Sequence, residues 1–115
     1  MPVLYADSVS GSTSGTTFSP SPKELPPGVV TVVVSGSAYR APGDGKGPIG
    51  FDLQHNGKAI GSSRLLAAEG FAHMTLPSIM VKNVIVKKGK NDFSLQPTPK
   101  TIIDAQDTFF LMLIK

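Results

Sequence analysis

The stretch Asp107-Thr108-Phe109-Phe110-Leu111-Met112-Leu113-Ile114-Lys115 constrains the fold more than any other part of the chain. Side chains of a β-strand alternate between two faces. Phe109, Leu111 and Leu113 therefore share one face, and Phe110, Met112 and Ile114 the other. Phe109 to Ile114 falls far short of the ~20 apolar residues a membrane helix needs, so the reading is a strand, without membrane insertion. An antiparallel strand normally buries one face and wets the other. This one must bury both.

A second run behaves similarly. Val29-Val30-Thr31-Val32-Val33-Val34 is β-branched throughout, which favours strand over helix, and only Thr31 interrupts its apolar character. In each strand one face can fill a core. The other would leave an apolar patch larger than monomers usually tolerate. A loop or the N-terminal segment could cover it, or a second subunit could. No amphipathic helix is available as a lid, and Ser8 to Pro22 is nearly all Ser, Thr, Gly and Pro. The expected cover is therefore another copy of the chain, against Val30, Val32, Val34, Phe110, Met112 and Ile114. A charged fraction of only 17% fits a domain with part of its surface covered.

The rest of the chain alternates strand and turn signals. A first strand is expected at Val3 to Val9, with residues 1–28 forming that strand and a polar arm that Phe18 could pin. Residues 29–115 then form the main domain. Ile49, Phe51 and Leu53 alternate with Gly50, Asp52 and Gln54, and Asn56-Gly57 is a strong type I′ hairpin signal. The chain returns through Lys58 to Ser62. Arg64 to Gly70 is the one stretch with helical character, two turns at most. Further strands are expected at Phe71 to Leu76, Ile79 to Val86, Asp92 to Gln96, Lys100 to Ile103 and Thr108 to Ile114. Short strands at this spacing predict an all-β antiparallel sandwich of Greek-key topology with about 8–10 strands.

The order of three segments resembles the jelly roll of the complement C1q and tumour necrosis factor superfamily. These are the strand and hairpin Phe51 to Gly57, the turn region Val84 to Leu95, and the closing strand Asp107 to Leu113. The chain lacks the glycine usual in that family's last strand, and cytokine-like receptor binding is not carried over. The resemblance implies a homotrimer with its most apolar strands at the axis. Bacterial and phage proteins use similar trimers as lectins, fibre heads and capsid decorations. The expected function is thus a non-enzymatic assembly module in a virion or surface accessory, attached to a larger particle through the N-terminal arm. The alternative is a lectin with sites at subunit junctions.

Chemical motifs are sparse. No cysteine is present, so disulfides, thiolate catalysis and thiolate-bound zinc are excluded. His55 and His73, the two histidines, stand in no local sequence context that would activate a serine, and no catalytic residue, metal site or cofactor is assigned. Asp104 and Asp107 could share a calcium ion with loop carbonyls, but no third acidic residue lies nearby. Gly43-Asp44-Gly45-Lys46-Gly47 has the glycines of a phosphate loop without the following Ser/Thr or helix, and reads as a turn. Tyr39-Arg40 is the best candidate pair for a glycan. The net charge is +3, and Lys82, Lys87, Lys88 and Lys90 cluster around one turn. They lack interleaved aromatics for base stacking, so no nucleic-acid partner is expected. No basic leader with an apolar run is seen at the N-terminus. Synthesis in the cytoplasm is expected, followed by a virion-associated or extracellular location.

Overall fold

A computed structural model describes residues 2–115. Eleven strands follow in order: β1 Val3–Ser10, β2 Thr16–Phe18, β3 Gly28–Ser35, β4 Ser37–Arg40, β5 Gly47–His55, β6 Lys58–Ala67, β7 Met74–Thr75, β8 Ile79–Val86, β9 Phe93–Pro97, β10 Thr101–Ile102 and β11 Thr108–Ile114. There is no helix among the described residues. The strands exceed the expected number because β2, β7 and β10 are only two or three residues long. Two four-stranded antiparallel sheets, ordered β1-β11-β3-β8 and β2-β9-β5-β6, face each other, and a small sheet β10-β4-β7 closes one end. Neighbouring strands are often distant in sequence, as crossovers between the layers of a jelly-roll β-sandwich require.

The core is built by alternation. Phe109, Leu111 and Leu113 of β11 and Val30, Val32 and Val34 of β3 point inward from one sheet. Ile49, Phe51, Leu53, Phe93 and Leu95 meet them from the other, with Phe51 and Phe109 edge to face at 5.5 Å and 88°. The β5–β6 hairpin turns at Asn56-Gly57, where φ is 49° and 83°, positive at both residues as a type I′ turn demands.

Strand β8 needs a correction in phase to keep its apolar residues inside. Val30 pairs with Val84 and Val32 with Val81, so Thr31 faces two residues, Lys82 and Asn83. This β-bulge switches the inward positions from Ile79 and Val81 to Val84 and Val86. Asn83 absorbs the kink with a φ of 61°, a left-handed conformation that Asn tolerates.

Two expectations fail. Arg64 to Gly70 is not helical, because β6 runs on to Ala67 and pairs with β5 back to Gly47. A two-turn helix has too few hydrogen bonds to repay its nucleation, whereas the extended chain finds a complete partner strand. The strand expected at Phe71 to Leu76 shrinks to Met74–Thr75, paired with Ser37 and Ala38 of β4. The polar segment after β1 lies against the sandwich. Phe18 enters the core beside Phe93, and Thr13 exchanges two hydrogen bonds with the backbone of Ile103, at 2.8 and 3.0 Å.

Gly11 and Gly36 flank the Phe109 ring so closely that a Cβ on either would run into it. Gly36→Ala is therefore expected to lower the unfolding free energy by about 1–3 kcal/mol through overpacking. Denaturant titration of the single and double variants checks this: Phe109→Leu should cost less in the Gly36→Ala background than alone, and strict additivity would refute the contact.

Candidate functional site

Strand β4 turns Ala38 and Arg40 inward and leaves Ser37 and Tyr39 half-buried on its other face. That face looks toward residues 71–75 and the loop between β10 and β11. There the fully buried Asp107 carboxylate gathers three partners. Its Oδ1 accepts hydrogen bonds from Ser37 Oγ and His73 Nδ1, both at 2.6 Å, and its Oδ2 accepts from the Asp104 amide at 3.0 Å. A buried carboxylate demands such compensation, and here it ties together segments remote in sequence.

The Asp107 bond fixes the His73 ring and leaves Nε2 as its free edge, 3.6 Å from Asp104 Oδ2. The imidazole lies against Tyr39, with ring centroids 4.8 Å apart, and Tyr39 is 6.1 Å from Phe71. Phe71 is 74% exposed. The result is a surface of three adjoining rings bordered by one carboxylate. The hydrogen bond from His73 to Asp107 raises the histidine's pKa, partial burial opposes this, and the charges of Asp107 and Asp104 add to the rise.

This arrangement can hold a polar ligand against aromatic faces. It is not a hydrolytic triad, because Ser37 Oγ is bonded to the carboxylate and not to the imidazole. Ligand atoms of His73, Asp104 and Asp107 lie within 4.8 Å of one another. Asp107 already accepts three hydrogen bonds, however, and the three groups together fall short of the six to eight oxygens of a calcium site or the four ligands of a structural zinc site.

Of the expected glycan pair, Tyr39 belongs to this surface and Arg40 does not. Arg40 is 6% exposed, and its guanidinium donates to the carbonyls of Gly45 (2.6 Å), Asp44 (3.0 Å) and Pro48 (3.2 Å). It holds the glycine-rich loop from inside. Glu69 closes the same loop from outside, accepting the amides of Gly45 at 2.6 Å and Gly43 at 3.2 Å.

A second feature is the outer face of the β1-β11-β3-β8 sheet. Phe110 (53% exposed), Met112 and Ile114 point outward, as do the neighbouring Val29 and Val33 of β3 and Met80 and Ile85 of β8. Val30, Val32 and Val34 do not. They were expected on this face but lie 3%, 0% and 0% exposed in the core, because the polar Thr31 takes the outward phase of β3. Phe110 stands between two shallow hollows, one of about 320 Å³ beside Ala6 and Ser8 and one of about 280 Å³ beside Ser35 and Thr75.

No protein family's sequence profile matches the chain, and no curated protein matches it. Among solved structures the chain is similar to the CBM36-1 domain of a multidomain xylanase from the hindgut metagenome of Trinervitermes trinervoides, at 14% identity and a TM-score of 0.52, covering 94% of this chain and 76% of that one. It is also similar to Eiger TNF from S. frugiperda, at 12% identity and a TM-score of 0.55, covering 100% of this chain and 94% of that one. At these identities the likeness establishes the jelly-roll β-sandwich fold.

Because the folded chain favours protonated His73, its contribution to stability is fully present below the unfolded-state pKa of about 6.5 and is lost as pH rises through the raised folded value. The gap in melting temperature between the parent protein and His73→Gln should therefore widen on going from about pH 8 to about pH 6. Equal gaps at both ends would show that the His73–Asp107 pair does not titrate with folding.

Proposed function

We propose that the protein is a non-enzymatic jelly-roll module that works by assembling as a homotrimer. The observation that carries this reading is the apolar outer face of the β1-β11-β3-β8 sheet. Phe110, Met80, Ile85 and Val29 are each more than half exposed there, and Phe110 and Val29 stand on the two central strands of the sheet. Apolar surface in the middle of a sheet cannot be excused as edge or loop exposure, and it calls for a partner. A second and third copy of the chain fit that need, since the resemblance to the C1q and tumour necrosis factor superfamily implies a trimer with the most apolar strands at its axis. Phe110, flanked by its two hollows, is suited to knob-in-hollow packing about such an axis. As a finer proposal, the assembled unit serves as a virion or surface accessory, of the decoration or fibre-head kind.

Light scattering on the eluting protein should give a mass three times that of the 12.0 kDa protomer. Met112→Lys, which puts a charge at the centre of the face, should yield folded 12.0 kDa monomers with an unchanged circular dichroism spectrum. A parent protein that stays monomeric at micromolar concentration would refute the trimer.

Tyr39, Phe71 and His73 favour a second reading, glycan binding at the end of the sandwich. An aromatic as exposed as Phe71, adjoining two further rings and the Asp104 carboxylate, offers the stacking surface and polar edge that sugars require. One fold neighbour is a carbohydrate-binding domain of a xylanase, which supports testing xylan oligosaccharides first. On a glycan array, Phe71→Ala and Tyr39→Ala should each reduce binding at least about tenfold, the loss of one good stacking contact. An array with no bound glycan would refute glycan binding at this surface.

A further inference from the structure

Strand β8 is one edge of its main sheet and β6 one edge of the other, and the two run along the same flank of the sandwich. Between them opens a cleft of about 490 Å³. Lys58 and Asn56 reach it from the β5–β6 hairpin, Lys82 and Asn83 from β8, Lys87 from the end of β8, and His55 from β5. No acidic residue lines it, and none of the three lysines forms an ion pair among the described residues. Lysines at sheet edges also deter unwanted strand pairing, but outward-pointing charges suffice for that. Here they converge on a hollow.

The walls of the cleft are built, not incidental. The β8 bulge opposite Thr31 brings Lys82 and Asn83 together at the rim, where strict alternation would send them to opposite sides. A second bulge interrupts β6 at Ile60, directly across the cleft, since Leu53 pairs with Gly61 and Gln54 with Ala59. The buried Asn91 then locks the closed end. Its Oδ1 accepts the Lys87 amide at 3.2 Å and His55 Nε2 at 2.9 Å, and its Nδ2 donates to the Lys87 carbonyl at 2.8 Å. The His55 ring is also stacked on Phe93 at 4.7 Å and 8°. Positive charge and side-chain amides are thus held on a rigid frame, which reduces the ordering cost of binding.

We propose that this flank cleft binds an anionic polysaccharide, one carrying sulfate or carboxylate groups along a hydroxyl-rich chain. Lys58, Lys82 and Lys87 supply the counter-charge, and Asn83 supplies hydrogen bonds to hydroxyls. The Asn56 side-chain amide shapes the wall, accepting the Asp92 backbone amide at 2.7 Å and donating to the Lys90 carbonyl at 3.1 Å. Nucleic acid suits the cleft less well: no Phe, Tyr or Trp lines it, and its one ring, His55, already has Phe93 against one face, so it lacks the row of aromatics on which successive bases stack. The site is separate from the Tyr39–Phe71–His73 surface and borders the proposed trimer face at Ile85, which lines both.

The test is calorimetric titration of the full chain with a heparin hexasaccharide at physiological salt. Binding is expected, weakening steeply as salt is raised. The triple variant Lys58→Gln, Lys82→Gln, Lys87→Gln should lose at least about tenfold in affinity. A charge-matched control, Lys23→Gln, Lys46→Gln, Lys100→Gln, should bind as the parent does. No binding, or an equal loss in the control, would overturn the proposal by reducing it to net charge. A single-stranded DNA of matched charge that binds as tightly as heparin would overturn the polysaccharide assignment in favour of nucleic acid.

Discussion

The sandwich depends on the position of β11 between β1 and β3. Both edges of its backbone are hydrogen-bonded, so its side chains have only the two faces of the sheet to occupy. Phe109, Leu111 and Leu113 take the inner face and set the spacing to the opposite sheet through Phe51. The fit is tight enough that Gly11 and Gly36 must lack side chains where they meet Phe109. Placing an all-apolar strand at the centre of a sheet leaves its second face outside, and the outer patch follows directly from that choice.

The site at the end of the sandwich grows from the same strand. Asp107 immediately precedes β11, and its backbone carbonyl accepts the Gly11 amide while its carboxylate accepts Ser37 and His73. Core packing that fixes β11 therefore also fixes His73 against Tyr39. Rigid placement by the scaffold of side chains on otherwise irregular segments is how loops come to carry recognition.

The fold class was legible because strand alternation is a local property, and Ile49 to Gln54 and Asp92 to Gln96 show it plainly. The phase of β3 was harder. Five valines make both faces apolar, and Thr31 alone marks the outward one, a single polar residue that assigns Val29 and Val33 outward and Val30, Val32 and Val34 inward. Arg64 to Gly70 has a helix-forming composition, and only its long-range pairing with β5 overrides that preference. Tyr39 was identifiable as an amphipathic aromatic at a strand end. Its partners were not, since His73 and Asp107 meet across 34 residues and no local pattern announces the encounter. Arg40, adjacent in sequence to Tyr39, pointed the opposite way because successive strand residues must.

The glycine-rich loop between β4 and β5 carries a further implication. Its Gly43 and Gly45 amides converge as they would on a bound anion, and the Glu69 carboxylate occupies that position. The chain thus supplies its own ligand, tethered through β6 at an effective concentration of order millimolar or above. A dissolved phosphate or carboxylate would have to outcompete this resident group. The loop is closed to such ligands by competition, not by shape.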